Sequence, residues 1–199
     1  MKMFDMKRQL FFFFFCLIVR SLSAKRFTVV LDPGHGGTDP GAVGTVVKEK
    51  DLNLNVALLV GKKISERCPD VKVIYTRNTD KTVPLKDRPM IANRANGDLF
   101  ISIHTNSNES KRPCGTETYV IGLAKAGANF EVAKRENSVI LLEEDRESYQ
   151  GFDPTSPESY IMFEFMQSKY IEQRLQMADI IQQDFSIKTD GTDRAGSRW

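Results

Sequence analysis

The amino-acid sequence predicts an α/β domain built on a single mixed or mostly parallel sheet flanked by helices. From residue 27 onward, short apolar runs typical of strands alternate with longer segments in which apolar residues recur every three or four positions. This alternation favours helices packed on the faces of a sheet. The chain has 199 residues, which suits one domain of ordinary size.

The elements follow one another at regular spacing. We predict strands over 28–32, 71–75, 99–104 and 116–121, and helices over 51–67, 85–95, 124–137 and 171–185. In the first helix, the apolar stripe is expected to consist of Leu52, Val56, Leu59 or Val60, and Ile64. After residue 187 the sequence is polar, so no closing element is expected and the C-terminal strand of the sheet is predicted to be missing.

The first 24 residues have the pattern of a secretory signal peptide. Basic residues at positions 2, 7 and 8 precede an apolar run over 10–19 and a small-residue segment over 21–24. The run is shorter than the roughly 20 residues that span a bilayer, although an uncleaved anchor stays an alternative. We therefore expect cleavage after Ser23 or Ala24, a domain over 25–199, no permanent membrane anchor, and export to the periplasm or cell envelope.

The charge balance and the cysteine content say little about binding partners or about covalent cross-links. The chain carries 28 basic and 26 acidic residues, a balance that predicts no nucleic-acid partner. Cys16 falls in the segment to be removed. A disulfide between Cys68 and Cys114 is permitted in an exported protein, but free or buried thiols are the simpler reading.

Two histidines stand at the ends of two predicted strands. His35 follows the strand 28–32 in a glycine-rich loop, and His104 ends the strand 99–104. Ligands gather beyond the carboxyl ends of strands in α/β sheets, and Glu49, just ahead of the first helix, can supply a third ligand there. Two ordinary histidines remain the alternative. Asp32 and Asp39 could serve as extra ligands or as partners of the ligands, but both lie beside Pro and Gly, where turn formation is the commoner role, so both are left outside the site.

Two other chemistries are disfavoured by the motifs. The glycine-rich loop lacks both the Gly-x-Gly-x-x-Gly order and the Lys-Ser/Thr ending of a phosphate-binding loop. The chain also lacks the Gly-x-Ser-x-Gly elbow of a serine hydrolase.

A series of ordered motifs resembles one enzyme family. The motifs are VVLDPGHGG at 29–37, EKDLNL at 49–54, YTR at 75–77, Leu85 with Arg88, AN at 92–93, DLFISIHTN at 98–106 and GTETY at 115–119. Together they resemble the zinc-dependent N-acetylmuramoyl-L-alanine amidases (amidase type 3) of bacterial cell walls. The resemblance implies a zinc ion held by His35, Glu49 and His104, the same residues that strand position suggests.

The resemblance also implies a reaction, and it implies that one catalytic residue of the family is missing from this chain. The reaction is hydrolysis of the amide between N-acetylmuramic acid and L-alanine in peptidoglycan, with zinc-activated water as the nucleophile. In the family the general-base glutamate lies on a late strand, which is expected beyond Trp199, so the chain is expected to be truncated and its catalytic base is unassigned. Glu117 or Glu136 can substitute. The alternative function is a catalytically impaired, zinc-dependent wall-binding protein.

An acidic, turn-rich segment over 139–166 is predicted to be a regulatory insertion. It resembles the inserted helix that covers the zinc cleft in amidases of daughter-cell separation, which an activator protein displaces. A solvated acidic loop is the alternative. The glutamates that can cap the zinc are Glu143, Glu144, Glu147, Glu158 and Glu164.

Overall fold

A computed structural model shows a parallel sheet with helices packed on it. The structure describes residues 25–106, 115–120, 128–143, 149, 152–157, 159, 170–188 and 196–198. The predicted signal peptide therefore lies outside the described residues. Within them, no helix has the length and apolar character needed to cross a membrane.

Three parallel strands form the central sheet. They are β1 (Thr28–Pro33), β2 (Lys72–Tyr75) and β3 (Leu99–Ile103), arranged in the order β2-β1-β3. β1 is buried along its whole length because it has a neighbouring strand on each side and a helix packed against it. Its continuous run of Val29, Val30 and Leu31 is the pattern expected of such a central parallel strand.

Helix α1 (Glu49–Arg67) turns a different face to the sheet than the sequence predicts. Its buried residues recur every fourth position and are small or polar: Glu49, Asn53, Ala57 and Gly61, together with Lys50. Leu59 is 61% exposed, so the expected apolar stripe is wrong in part. The cause is close packing, since a Cβ at position 61 would lie 1.8 Å from Tyr75 Oη.

The next helix and the second sheet complete the described elements. Helix α2 (Asp87–Arg94) has Pro89 in its first turn, where a proline costs no hydrogen bond. Strand β4 (Glu117–Tyr119) pairs in parallel with β5 (Gly196–Arg198). Helix α3 (Ala128–Asn137) leads into a 3-10 turn (Ser138–Leu142), and helix α4 is Ile171–Lys188.

The predicted fold class is confirmed, with two corrections. The described strands form two sheets rather than one, because β4 pairs with β5 and with none of the central strands. The expectation that no strand closes the chain is also wrong. The sequence Gly-Ser-Arg has no apolar alternation, so only its pairing with β4 makes it a strand.

The structure describes one of the two cysteines considered for a disulfide, Cys68 and Cys114. Cys68, next to the end of α1, is exposed and has a free thiol. Cys114 lies outside the described residues, so the pairing of the two stays untested.

Candidate metal centre

The loop after β1 carries His35 in a strained conformation. His35 has a φ angle of +61°, in the left-handed region that residues with a Cβ seldom adopt. Two buried arginines hold the loop by its carbonyl oxygens. Arg77 donates to Pro33 O and Gly34 O at 3.0 and 2.8 Å, and Arg88 donates to His35 O at 3.0 Å. The surrounding structure therefore fixes the backbone that presents the imidazole.

His104 reaches the same place from the neighbouring strand. It follows β3 directly, and β3 is parallel to β1, so both histidines lie at the carboxyl edge of the sheet. The two rings meet edge to face with centroids 4.9 Å apart. Gly34 makes this approach possible, because a Cβ at that position would lie 2.3 Å from His104 Cε1.

Glu49 completes the set of three ligands expected from the sequence. Its Oε1 lies 3.3 Å from His35 Nε2 and 3.2 Å from His104 Nδ1. The structure thus brings together His35, Glu49 and His104, although the three are far apart in the chain. Glu49 opens helix α1, where a carboxylate also interacts favourably with the helix dipole.

Several N–H groups hold the Glu49 carboxylate in place. Ala42 N donates to Oε2 at 2.9 Å, and Thr105 N donates to Oε1 at 2.9 Å. Asn53 Nδ2 donates to Oε1 at 3.2 Å. Burial alone would raise the pKa of Glu49, but the hydrogen bond with His104, the nearby His35 ring and the amides of Ala42 and Thr105 outweigh it and hold the pKa far below its ordinary value. Glu49 is therefore ionised, which is the state in which a carboxylate binds a metal.

A fourth donor comes from helix α3. Glu136 Oε2 lies 2.9 Å from His104 Nδ1 and 3.2 Å from His35 Nε2. Ligand atoms of His35, Glu49, His104 and Glu136 all lie within 4.8 Å of one another. Sequence reasoning names Glu136 only as a possible substitute base, paired with Glu117. Glu117 instead lies on β4, where it accepts a hydrogen bond from Tyr119.

Asp39 also lies beside this centre, although the sequence analysis leaves it outside the site. Its Oδ2 lies 2.8 Å from His35 Nδ1. A turn-forming role explains Asp39 equally well from sequence, and only the fold shows the carboxylate beside the ring. Asp32 has a different place: it accepts hydrogen bonds from Thr76 Oγ1 and Arg88 Nη1 at 2.6 and 2.8 Å.

The predicted capping glutamates are described only in part. Glu143 Oε1 accepts a hydrogen bond from Leu85 N at 3.1 Å, and its Oε2 accepts one from Tyr149 Oη, so Glu143 contacts the segment ahead of α2. The other four candidates, Glu144, Glu147, Glu158 and Glu164, lie outside the described residues.

The donor set fits a zinc ion. His35 Nε2 is buried and makes no hydrogen bond, although two carboxylate oxygens are near it. Burial opposes protonation of the imidazoles, but the neighbouring carboxylates outweigh it and raise the pKa of His35 to about 11 and that of His104 to about 8. The site thus favours positive charge, and two imidazole nitrogens with two carboxylate oxygens are typical zinc ligands.

The fold and this donor set define an α/β domain with a candidate zinc centre at the carboxyl edge of its parallel sheet. Comparison with known families then places it: the chain belongs to the N-acetylmuramoyl-L-alanine amidase family, whose model matches residues 29–198. The resemblance seen in the sequence motifs is therefore confirmed.

Individual relatives match the chain over about half its length. It is 40% identical over 92 residues to N-acetylmuramoyl-L-alanine amidase LytC of Bacillus subtilis, covering 46% of this chain and 18% of that protein. It is 40% identical over 107 residues to the amidase AmiC of Escherichia coli, covering 53% and 25%. A crystal structure of the amidase from Clostridium difficile is 34% identical and has a TM-score of 0.47, covering 60% of this chain and 64% of that one. The chain thus spans a quarter or less of the two curated relatives named.

Proposed function

We propose that the protein hydrolyses the amide bond between N-acetylmuramic acid and L-alanine in bacterial peptidoglycan. The observation that carries the proposal is the convergence of His35, Glu49 and His104 at one sheet edge in a chain of this family. Zinc is the proposed cofactor and peptidoglycan the proposed partner. With export through the predicted signal peptide, the site of action is the periplasm or cell envelope.

The roles of the residues follow from their contacts. His35 Nε2, Glu49 Oε1 and His104 Nδ1 are the proposed zinc ligands, and a bound zinc ion supplies Lewis acidity and lowers the pKa of a water molecule. Asn53 and the amides of Ala42 and Thr105 keep the Glu49 carboxylate ionised and aimed into the centre. The group that accepts the proton of the water stays unassigned among the described residues.

Glu136 supplies a fourth protein donor, which leaves the proposed zinc centre without an open position for water. Catalytic zinc sites usually keep one position open beside three protein ligands, whereas structural sites fill all four. With Glu136 2.9 Å from His104 Nδ1, the centre has four protein donors. For hydrolysis, α3 must withdraw this carboxylate. The same closed set favours the second candidate function, a zinc-dependent wall-binding protein without hydrolysis.

The described part of the segment 139–166 supports a regulatory role for it. Glu143 accepts a hydrogen bond from Leu85 N, and Tyr149 Oη accepts one from Lys86 N at 3.1 Å. These contacts anchor the residues after Glu136 against the start of α2. We propose that an activator protein displaces this segment and draws Glu136 out of the centre.

The first experiment measures zinc content and hydrolysis together. Zinc is quantified in the purified chain, and release of stem peptide from isolated peptidoglycan is followed with and without a chelator. We expect one zinc per chain and chelator-sensitive release. Glu49→Gln should lose both, while Glu66→Gln, an exposed change on the same helix, should lose neither. Zinc binding without release, even after Tyr149→Phe loosens the anchor, would support the wall-binding alternative.

A further inference from the structure

The carboxylate of Asp39 touches the side of the His35 ring that faces away from the metal centre. Asp39 Oδ2 and His35 Nδ1 are 2.8 Å apart, and the two side chains are 22% and 10% exposed. A carboxylate oxygen accepts hydrogen bonds, so the ring nitrogen Nδ1 is the donor in this contact.

The proton on Nδ1 determines the state of Nε2, the nitrogen on the opposite edge of the His35 ring. When Nδ1 of a neutral imidazole carries the proton, Nε2 has the free lone pair. His35 Nε2 is the ring atom that points at Glu49 and Glu136, and it is buried without a hydrogen bond. When His35 loses a proton to bind a metal, the contact with Asp39 therefore keeps the remaining proton on Nδ1 and leaves Nε2 free for the ion.

Asp39 is itself held on both sides. Gly41 N donates to its Oδ1 at 3.1 Å, and its backbone exchanges hydrogen bonds with Gly36 at 2.9 and 3.1 Å. Gly41 has a φ of +63°, and a Cβ there would lie 2.6 Å from His35 Cδ2. The loop thus leaves one orientation for the carboxylate, with one oxygen on Gly41 and the other on the ring.

We propose that Asp39 is a positioning residue that holds His35 in the tautomer required for zinc binding through Nε2. The inference rests on the proposed zinc site. It adds to that site a residue that contacts the His35 ring but none of the atoms proposed to bind the metal. In metal sites, losing such a carboxylate partner typically weakens metal affinity about 10- to 100-fold.

The substitution Asp39→Asn distinguishes a positioning role of Asp39 from a purely structural role in the turn. Asn is as good a turn residue as Asp, so a turn-forming Asp39 tolerates Asp39→Asn. For a positioning residue the same change is harmful. The amide oxygen of Asn pairs with Gly41 N, which turns the NH2 group toward His35 Nδ1. That group donates to Nδ1 and so favours the tautomer with the proton on Nε2, the wrong one for the metal.

The test compares zinc dissociation constants of four full-length proteins by competition with a chromophoric chelator. They are the wild type, Asp39→Asn, Asp39→Ala and Asp80→Asn as the matched control. Asp80 supports the same loop by accepting from Gly37 N and Lys50 Nζ at 2.7 and 2.6 Å. We expect both Asp39 variants to bind zinc about 10- to 100-fold more weakly, with Asn no better than Ala, and the control to stay within about threefold.

A second readout reports the tautomer directly. The chain has two histidines, so nitrogen-15 spectra of the zinc-loaded imidazoles contain two sets of signals. We expect a protonated Nδ1 and a metal-bound Nε2 for His35 in the wild type, and loss of this pattern in Asp39→Asn. Thermal melting of the metal-free proteins checks that each variant folds.

The outcomes separate the two proposals. If the wild type binds no zinc, the proposed zinc site and the role of Asp39 both fail. If the wild type binds zinc and Asp39→Asn binds it within about threefold as well, only the role of Asp39 is overturned. Equal losses in Asp39→Asn and Asp80→Asn would also overturn it, because they would point to general loosening of the loop.

Discussion

Replacing Glu136 with glutamine tests how helix α3 is held on the centre. In the metal-free chain, Glu136 is ionised beside His104 and His35, with its side chain only 17% exposed. Glu136→Gln keeps the size of the side chain and removes the charge. The change therefore isolates the attraction between the carboxylate and the two imidazoles from the packing of the helix.

The structure allows the size of this attraction to be worked out. Burial opposes ionisation of Glu136, but the hydrogen bond with His104 and the nearby His35 ring outweigh it and lower the pKa from 4.5 to about 2. At about 1.4 kcal/mol per pKa unit, this amounts to about 3 kcal/mol in the free energy of unfolding at pH 7. Because the folded-state pKa is the lower one, the contribution is full above pH 4.5 and disappears as the pH falls through about 2. At pH 3 about half of it remains.

Urea unfolding of chelator-treated protein measures the prediction. The free energy of unfolding is compared for wild type and Glu136→Gln at pH 7, 5, 4 and 3, with Glu131→Gln as control. Glu131 lies on the same helix and is exposed, so its change should stay within about 0.5 kcal/mol. A loss below about 1 kcal/mol at pH 7, or a loss that does not shrink toward pH 3, would refute the placement of Glu136 against the imidazoles.

Two further predictions concern the metal itself. Zinc binding should release about two protons per ion at pH 7 and about one above pH 9, because the raised pKa values of about 11 for His35 and about 8 for His104 leave both rings protonated in the metal-free chain at neutral pH. Calorimetry in buffers of different ionisation enthalpy measures this number, and release of less than one proton at pH 7 would contradict it. Gly34→Ala should weaken zinc binding by about tenfold or more, because the new Cβ would lie 2.3 Å from His104 Cε1 and force the ring away. Gly44→Ala, whose Cβ would meet only Val47 O at 3.0 Å, is the control for the chelator titration, and equal affinities of the two variants would count against the close packing of Gly34 and His104.

The sequence predicts the order of the elements well because local patterns determine it. The run of Val29, Val30 and Leu31 is that of a central parallel strand, and the structure buries it between two neighbours. Glu49, three residues ahead of the next leucine, is foreseen as a candidate ligand because helices begin near the carboxyl edge of such sheets. These inferences need only hydrophobic spacing and the geometry of parallel strands.

What the sequence misses depends on tertiary contacts. Asp39 has a sufficient local explanation as a turn residue, and the ring of His35 is beside it only because the loop folds back between Gly36 and Gly41. Glu136 reaches the centre because α3 docks at that place, which no spacing in the chain encodes. The polar face of α1 is similar: Asn53 is buried since it supports the carboxylate of Glu49.

The wide separation of the proposed ligands along the chain bears on how the protein acquires its metal. Glu49 and His104 are 55 positions apart, and they meet only after β3 has paired with β1. No two of the three proposed ligands are neighbours in the unfolded polypeptide, so we expect zinc binding to follow the pairing of these strands. The zinc ion of the proposed centre is then expected to come from the metal pool of the compartment in which the polypeptide folds.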